Sequence, residues 1–222
     1  MKKLYLLILI VLLQTAGYAQ PYLSIFGDAS TSWNIAKEIP DATLTDSLYT
    51  GSDTSFNGHN YTRVHRYTSV DGFIREDTAS GKAWYYSKYE SEEFLIMDLS
   101  LSAGDTFYLV TSPWLQDTVA IVDTVYTDGM GKKHVVLDYK FYFFKEEPLA
   151  FIEGVGPNAG ITHQSRMKLW HGLNNVLLCS FKNGKHYYTN SILTGTQYEG
   201  DCSITWTSIE ERKQSPSWKL YP

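Results

Sequence analysis

The sequence has little basic charge and few cysteines. Its 222 residues hold 19 Lys and Arg against 24 Asp and Glu, for a formal net charge of −5 at pH 7, and the basic residues form no cluster. Nucleic-acid binding needs a basic surface, so this balance argues against nucleic acid as a partner. No cysteine stands directly after the apolar run at the N-terminus, which argues against a lipid-anchored lipoprotein.

The motifs of common catalytic and metal sites are also missing. None of the six histidines stands two or four residues from another, so neither a strand nor a helix presents a local metal-binding pair. No Gly-x-Ser-x-Gly elbow offers a serine nucleophile, and no twelve-residue acidic loop offers a calcium site. The sequence therefore predicts no catalytic residue, no metal ligand and no cofactor.

Residues 1–19 have the three parts of a secretory signal peptide. Lys2 and Lys3 supply positive charge, residues 4–13 form an almost unbroken apolar run, and small residues precede a cut after Ala19. The run is about half the roughly 20 residues that a membrane-spanning helix needs. We therefore expect cleavage, no membrane span afterwards, and a location outside the cell or on its outer surface.

Cys179 and Cys202 remain after the predicted cleavage. An even pair in an oxidising compartment favours a disulfide, which would contribute on the order of 3 kcal/mol through the loop that it closes. Two buried free thiols and a catalytic Cys–His pair are the alternatives. Residues 176–181 have the pattern of a strand interior, not of a nucleophile turn, so the sequence favours the disulfide.

Strand-forming residues dominate the chain after the signal peptide. Tyr, Thr, Val, Ile, Phe and Trp recur in short stretches between clusters of Gly, Asn, Asp and Pro, which is typical of an antiparallel β sandwich or barrel-like fold. Hairpin turns are predicted at residues 69–72, 80–81, 128–131 and 183–184. The sequence therefore predicts a mainly β protein with one antiparallel domain over residues 20–206, followed by a linker at 207–217.

The last five residues, 218–222, include Leu220-Tyr221-Pro222, and this ending resembles the start of the C-terminal sorting domain of the type IX secretion system. Several stretches of the body resemble, in the same order, uncharacterised secreted proteins of the Bacteroidetes: residues 73–77, 81–86, 98–106, 151–156 and 177–184. The resemblance implies a β-rich domain, export by that machinery, and a sorting domain truncated here at its first residues. It implies no established activity.

Aromatic side chains are the leading candidates for a binding surface. Trp84, Tyr85 and Tyr86 are consecutive, and the alternation of a strand places Trp84 and Tyr86 on the face opposite to Tyr85. Tyr142 belongs to a second aromatic stretch at residues 139–144. Half of each group is expected in the core, and the other half is a candidate platform for sugar rings or a partner protein.

Three carboxylates are also of interest. Glu76 and Asp77 are adjacent, and neighbours on a strand point to opposite faces, so together they cannot form the carboxylate pair of a glycoside hydrolase. Asp77 is expected to start a turn, and Arg75 to pair with an acid across the strands. Glu153 stands between an apolar strand end and a glycine-rich loop, where it would bind either the loop's amides or a ligand.

The sequence thus favours a non-enzymatic secreted or cell-surface module that binds a glycan or a protein. One alternative is an extracellular hydrolase whose site is built from scattered residues, and another is a structural or adhesion spacer. A cleft with two carboxylates or three histidines would favour the hydrolase. An exposed aromatic face would favour the binding module.

Overall fold

The computed structural model describes residues 22–27, 30–39, 42–110, 119–140, 147–165, 175–190 and 200–207. The described residues are mostly strand with almost no helix, and their antiparallel sheets are curled into half-barrels. This confirms the predicted mainly β fold. No helix within the described ranges is long and apolar enough to cross a membrane. The predicted signal peptide and the C-terminal stretch from residue 208 lie outside the described residues.

The larger sheet has nine strands. They are β1 (Thr31–Ile39), β2 (Ala42–Phe56), β3 (His59–Arg66), β4 (Ser69–Asp77), β5 (Lys82–Ser87), β6 (Glu92–Asp98), β12 (Asn175–Lys182), β13 (Lys185–Thr189) and β14 (Thr205–Thr207). Their order in the sheet is β13-β12-β1-β2-β3-β4-β5-β6, and β14 pairs with the start of β2. From β1 to β6, each strand pairs with the next along the chain, as short hairpin connections require.

The smaller sheet has five strands, which lie between β6 and β12 in the sequence. They are β7 (Thr106–Tyr108), β8 (Val119–Thr127), β9 (Lys133–Lys140), β10 (Pro148–Ile152) and β11 (Gly156–Pro157), paired in the order β11-β10-β9-β8-β7. Apolar side chains of both sheets form one core. The indole N–H of Trp33, on β1, donates to the carbonyl of Val155 at 3.0 Å and so ties the larger sheet to the loop after β10.

Three of the four predicted turns are confirmed. The connections from β4 to β5, from β8 to β9 and from β12 to β13 fall at residues 78–81, 128–132 and 183–184. The turn predicted at residues 69–72 is wrong, because the chain turns at residues 67–68 and Gly72 lies inside β4. Gly72 instead allows β5 to approach closely, because a Cβ at this position would collide with the Tyr85 hydroxyl and the Tyr86 carbonyl.

The predicted disulfide between Cys179 and Cys202 is confirmed. It joins β12 to the segment 200–207, which ends in β14. The Nδ2 of Asn34, on β1, donates to the carbonyl of Cys202 at 2.8 Å and holds the same segment against the sheet. Since both sulfurs are in the disulfide, neither cysteine is a free thiol or a nucleophile in this structure.

Candidate functional site

A pocket opens at the end of the larger sheet where β1, β3 and β5 finish. Its volume is about 240 Å³, and its lining residues are Lys37, Arg66, Asp71, Tyr85, Tyr89, Thr162 and Ser165. We term it the Arg66 pocket. It is smaller than the roughly 300–1,000 Å³ of sites for drug-sized ligands, which suits a single small ring, and the mouths of barrel-like sheets are frequent positions for ligand sites.

Strand register brings the charged residues of this pocket together. Arg66 pairs with Leu48, a fully buried core residue, so its side chain lies on the core face of the sheet. Asp71 reaches the same place through a bulge, because β4 has one extra residue between the partners of Val64 and His65. A bulge bends its strand and redirects the side chain of the extra residue.

Arg66 is held between two carboxylates. Its Nη1 donates to Asp46 Oδ2 at 2.8 Å, and its Nε lies 3.2 Å from Asp71 Oδ1. The hydroxyl of Tyr85 donates to Asp71 Oδ2 at 2.8 Å, and that of Tyr67 to Asp46 Oδ1 at 3.2 Å. The three charged side chains are at most 15% exposed. Their orientation is therefore set by the protein before any ligand arrives.

The loop of residues 158–165 forms the opposite wall of the pocket. Ser165 Oγ donates to Glu90 Oε2 at 3.1 Å, which ties the loop to the turn that carries Tyr89. The other oxygen of Glu90 is buried without a hydrogen-bond partner among the described residues. Glu90 thus supports the wall from behind Ser165 and is not itself one of the lining residues.

Gln164 fixes this loop between the two sheets. Its fully buried side chain donates from Nε2 to the carbonyls of Leu95 and Tyr108, at 3.3 and 3.4 Å, and accepts from the Val110 N–H at 2.7 Å. The amide thereby completes backbone hydrogen bonds that a strand would otherwise supply. The position of the pocket wall follows from this contact.

His163 lies in the same loop and is fully buried. Its Nδ1 is 3.1 Å from the carbonyl of Gly160, and its Nε2 has no hydrogen-bond partner in the described part of the chain. Burial lowers the pKa of His163 to about 4, against the smaller opposite effect of the Gly160 carbonyl. The ring is therefore neutral at pH 7, and Nδ1 carries its proton.

Tyr89 supplies an exposed ring at the rim of the pocket. It lies in the turn between β5 and β6, and it is 72% exposed. An aromatic ring can cover the apolar face of a sugar, while fixed polar groups beside it orient the hydroxyls. The Arg66 pocket and Tyr89 together have this arrangement.

Sequence reasoning missed this site. The sequence predicts Asp71 in a turn, and nothing local in it marks Arg66 or Tyr89 as members of one pocket. A usable signal exists for Arg66. It ends a strand opposite Leu48, which belongs to the core, and a charged side chain on the core face needs an oppositely charged neighbour. That signal needs the strand register, which only the structure supplies.

The aromatic candidates Trp84 and Tyr86 lie on the outer face of the larger sheet, opposite to the buried Tyr85, as strand alternation predicted. The guanidinium carbon of Arg75 lies 3.9 Å from the centroid of the Trp84 ring. Arg75 also donates to both oxygens of Glu93, at 2.7 and 2.6 Å, which confirms its expected pairing with an acid across the strands. One face of Trp84 is therefore covered by Arg75.

Tyr86 belongs to a group of half-buried and buried rings on the same outer face. The centroid of Phe56 lies 4.3 Å from that of Tyr61, 4.9 Å from that of Phe73 and 5.0 Å from that of Tyr86. The contacts of Phe56 with Phe73 and Tyr86 are edge-to-face. These rings pack on one another as a small second core. The surface that they form therefore consists more of ring edges than of a flat aromatic face. Tyr142 lies outside the described residues.

Glu153 binds backbone amides, but not those of its own loop. Its Oε1 accepts from the N–H of Leu23 and its Oε2 from the N–H of Lys133, both at 3.0 Å. Both oxygens are thus engaged by neighbouring segments. Within the described residues, these contacts give Glu153 a role in attaching residues 22–25 to the smaller sheet.

Glu76 has a matching role on the other side of that segment. Its carboxylate accepts from the Tyr22 hydroxyl at 2.8 Å, from the Ile25 N–H at 2.6 Å and from the Ser24 hydroxyl. Burial raises the pKa of Glu76, although these hydrogen bonds oppose the change. Asp77 accepts from the Ala79 N–H at 3.0 Å and so starts the turn, as predicted.

No protein-family model matches the chain, and no curated protein or solved structure is significantly similar to it. The functional conclusion therefore rests on the geometry and chemistry of the Arg66 pocket.

Proposed function

We propose that this chain is a non-enzymatic binding module, secreted or displayed on the outer cell surface, whose Arg66 pocket binds a sugar unit of a glycan. One observation carries the proposal: Arg66 is oriented by Asp46 and Asp71 in an open pocket whose rim holds the exposed ring of Tyr89. Fixed hydrogen-bonding groups beside an aromatic ring suit a molecule with hydroxyls on its edge and C–H groups on its face.

The charges around the pocket favour a neutral ligand. Basic and acidic groups stand side by side here: Lys37, Arg66 and Asp71 line the pocket, and Asp46 binds Arg66. A charged sugar would add a charge to a partly buried site in which Arg66 is already paired with two carboxylates, and charges interact more strongly there than in water. A neutral hexose unit avoids this cost and can both donate and accept hydrogen bonds.

The same contacts argue against hydrolysis at this pocket. A glycosidase needs one carboxyl group that gives up a proton and a second that attacks or activates water. Asp71 pairs with Arg66 through both of its oxygens, its Oδ2 also accepts from the Tyr85 hydroxyl, and Asp46 binds Arg66 and Tyr67. Carboxylates engaged in this way orient a ligand and are poorly placed to exchange protons with it.

Three features support the proposed location. Residues 1–19 have the composition of a signal peptide, and Leu220-Tyr221-Pro222 resembles the start of a type IX sorting domain. The disulfide between Cys179 and Cys202 is of the kind that persists in oxidising compartments. On this proposal, the partners of the chain are the export machinery and a glycan.

Thermal unfolding of the full chain with a panel of neutral, amino and acidic glycans tests the proposal. A ligand at 100 times its dissociation constant adds about 2.7 kcal/mol to the unfolding free energy, which raises Tm by several degrees. The Tyr89→Ala variant removes the rim ring. Tyr108→Ala is the matched control, because Tyr108 is 73% exposed and does not line the pocket.

We expect a neutral glycan to raise the Tm of the wild type and of Tyr108→Ala, and to leave the Tm of Tyr89→Ala unchanged. An equal shift in Tyr89→Ala would place the ligand elsewhere and overturn the pocket assignment. Release of new reducing ends from the bound glycan would overturn the non-enzymatic reading. A panel without any shift would remove glycans as the ligand class.

A further inference from the structure

The disulfide on the larger sheet has a histidine beside it. Cys179, on β12, is paired with Thr189 of β13, and His186 lies three residues earlier on β13. The two sulfurs of the disulfide and a ring nitrogen of His186 all lie within 4.8 Å of one another. Cys179 is fully buried and His186 is exposed, so solvent reaches the group from the histidine side.

The imidazole of His186 is already oriented in the oxidised protein. Its Nε2 lies 2.6 Å from the hydroxyl of Thr189, and its ring meets that of Phe181 edge-on with centroids 5.8 Å apart. The Thr189 hydroxyl is 3.8 Å from the sulfur of Cys179. These contacts hold the imidazole next to the two sulfurs before any metal binds.

We propose that the Cys179–Cys202 disulfide masks a metal site, and that its reduction opens a site of two cysteines and one histidine for Zn²⁺. Two molecules of a thiol reductant convert the disulfide to two protein thiols and leave as one oxidised disulfide. Zinc binding then forms two S–Zn bonds and one bond to His186, and it releases the two thiol protons to solvent. Water takes the fourth position of the tetrahedral ion.

The distances suit this change. Zinc binds sulfur at about 2.3 Å and nitrogen at about 2.0–2.1 Å, so two ligands of one tetrahedral ion are about 3.5–3.8 Å apart. Three atoms that lie within 4.8 Å of one another reach these separations by rotation of their side chains. The Cα atoms of Cys179 and Cys202 are 5.2 Å apart, so the backbone keeps its place.

The metal would preserve a cross-link that the fold uses. Besides the disulfide, the segment 200–207 is held by the pairing of β14 with β2 and by mutual hydrogen bonds between the Thr45 hydroxyl and the backbone of Ile204, at 2.7 and 2.8 Å. Without the disulfide, these contacts, the Asn34 hydrogen bond and the burial of Ile204 in the core still hold the segment. A zinc ion that bridges Cys202 to Cys179 and His186 replaces the lost bond.

Cobalt binding tests the inference, because thiolate ligands of Co²⁺ give a charge-transfer absorption in the near ultraviolet. The full chain is reduced with a dithiol, freed of reductant and metal without oxygen, and titrated with Co²⁺ and then Zn²⁺. We expect one Co²⁺ per reduced chain, with displacement by Zn²⁺, and no such absorption for the oxidised chain. Zn²⁺ should raise the Tm of the reduced chain and leave that of the oxidised chain unchanged.

His186→Asn keeps both cysteines and changes an exposed side chain. Formation of the native disulfide in air checks that this variant folds. We expect it to weaken Co²⁺ binding at least tenfold. His59→Asn is the matched control, because His59 is exposed at the start of β3, and should bind like the wild type. Absence of thiolate–Co²⁺ absorption in the reduced wild type, or equal affinity in His186→Asn, would overturn the proposed site.

Discussion

Arg66 lies on the core face of the larger sheet, where a charged group is stable only when it is paired. Asp46 and Asp71 supply that pairing, and two tyrosine hydroxyls satisfy further oxygens of the carboxylates. The arrangement is costly to desolvate, so it adds little net stability compared with an apolar core. Its retention is consistent with the binding role that we propose for the pocket.

Removal of Arg66 should be strongly destabilising. Arg66→Met leaves two buried carboxylates without their cation, which costs about 3–5 kcal/mol of unfolding free energy. Urea unfolding measures the loss. Arg63→Met is the control: Arg63 binds Ser52 Oγ at 2.7 Å in an exposed contact, and its loss should cost less than about 1 kcal/mol. A similar small loss for Arg66→Met would contradict the assigned role of the ion pairs.

His163 should make the protein sensitive to mild acid. Burial lowers the pKa of His163 to about 4 in the folded protein, from its ordinary value of 6.5. Below pH 6.5 the unfolded chain takes up a proton that the folded chain does not, so stability falls as the pH drops from about 6.5 to about 4. At 1.36 kcal/mol for each pKa unit, the loss amounts to about 3 kcal/mol.

The His163→Asn variant isolates this effect. The Asn side chain retains a donor for the Gly160 carbonyl and does not titrate, so its stability should fall less between pH 7 and pH 4 than that of the wild type. The raised pKa of Glu76 acts in the opposite direction but is common to both proteins, so it cancels in the comparison. Parallel pH profiles in urea unfolding would show that His163 is not the responsible group.

The loop of residues 158–165 shows how a single side chain can join two sheets. Gln164→Leu removes the hydrogen bonds to the carbonyls of Leu95 and Tyr108 and from the N–H of Val110, each worth about 0.5–1.5 kcal/mol. We expect lower stability and faster hydrogen exchange of the Val110 amide. Ser165→Ala is the control, since it removes only the contact with Glu90. Unchanged exchange in Gln164→Leu would contradict the bridging role.

The hairpins show which local signals suffice to predict an element. Residues 80–81, 128–131 and 183–184 were assigned correctly because a turn residue stands between two strand-like stretches. The turn from β2 to β3 at Asn57-Gly58 was not predicted, although it carries the same signal as Asn183-Gly184. Asp71-Gly72 also looks like a turn, but tertiary contact decides its conformation, because the ring of Tyr85 occupies the space that a side chain at residue 72 would need.

At the scale of the whole molecule, the disulfide links β12 to the segment that leads into β14. Its reduction in the absence of metal, or the Cys179→Ala/Cys202→Ala double variant, should lower the unfolding free energy by about 3 kcal/mol, because the unfolded chain regains the freedom of a closed loop with sequence separation 23. Urea unfolding with and without reductant measures this. The double variant should show no effect of reductant, and an equal response to reductant would assign the loss to another cause.

The sequence by itself determined the class of the fold, most of the hairpins between residues 69 and 189, and the disulfide. Each of these depends on patterns among near neighbours: alternation with a period of two, turn residues, and an even number of cysteines. It also predicted that Trp84 and Tyr86 share the face opposite to Tyr85. The tertiary structure then showed that Arg75 covers one face of Trp84 and that Phe56 packs against Tyr86.

Only the tertiary structure decided where the candidate site lies. The residues of the Arg66 pocket range from Lys37 to Ser165, and they meet because strand register, one extra residue in β4 and the Gln164 contact bring them to the same end of the sheet. Register and bulges are properties of pairs of strands, and a one-residue shift moves a side chain to the other face. The pattern of a single strand does not contain that information.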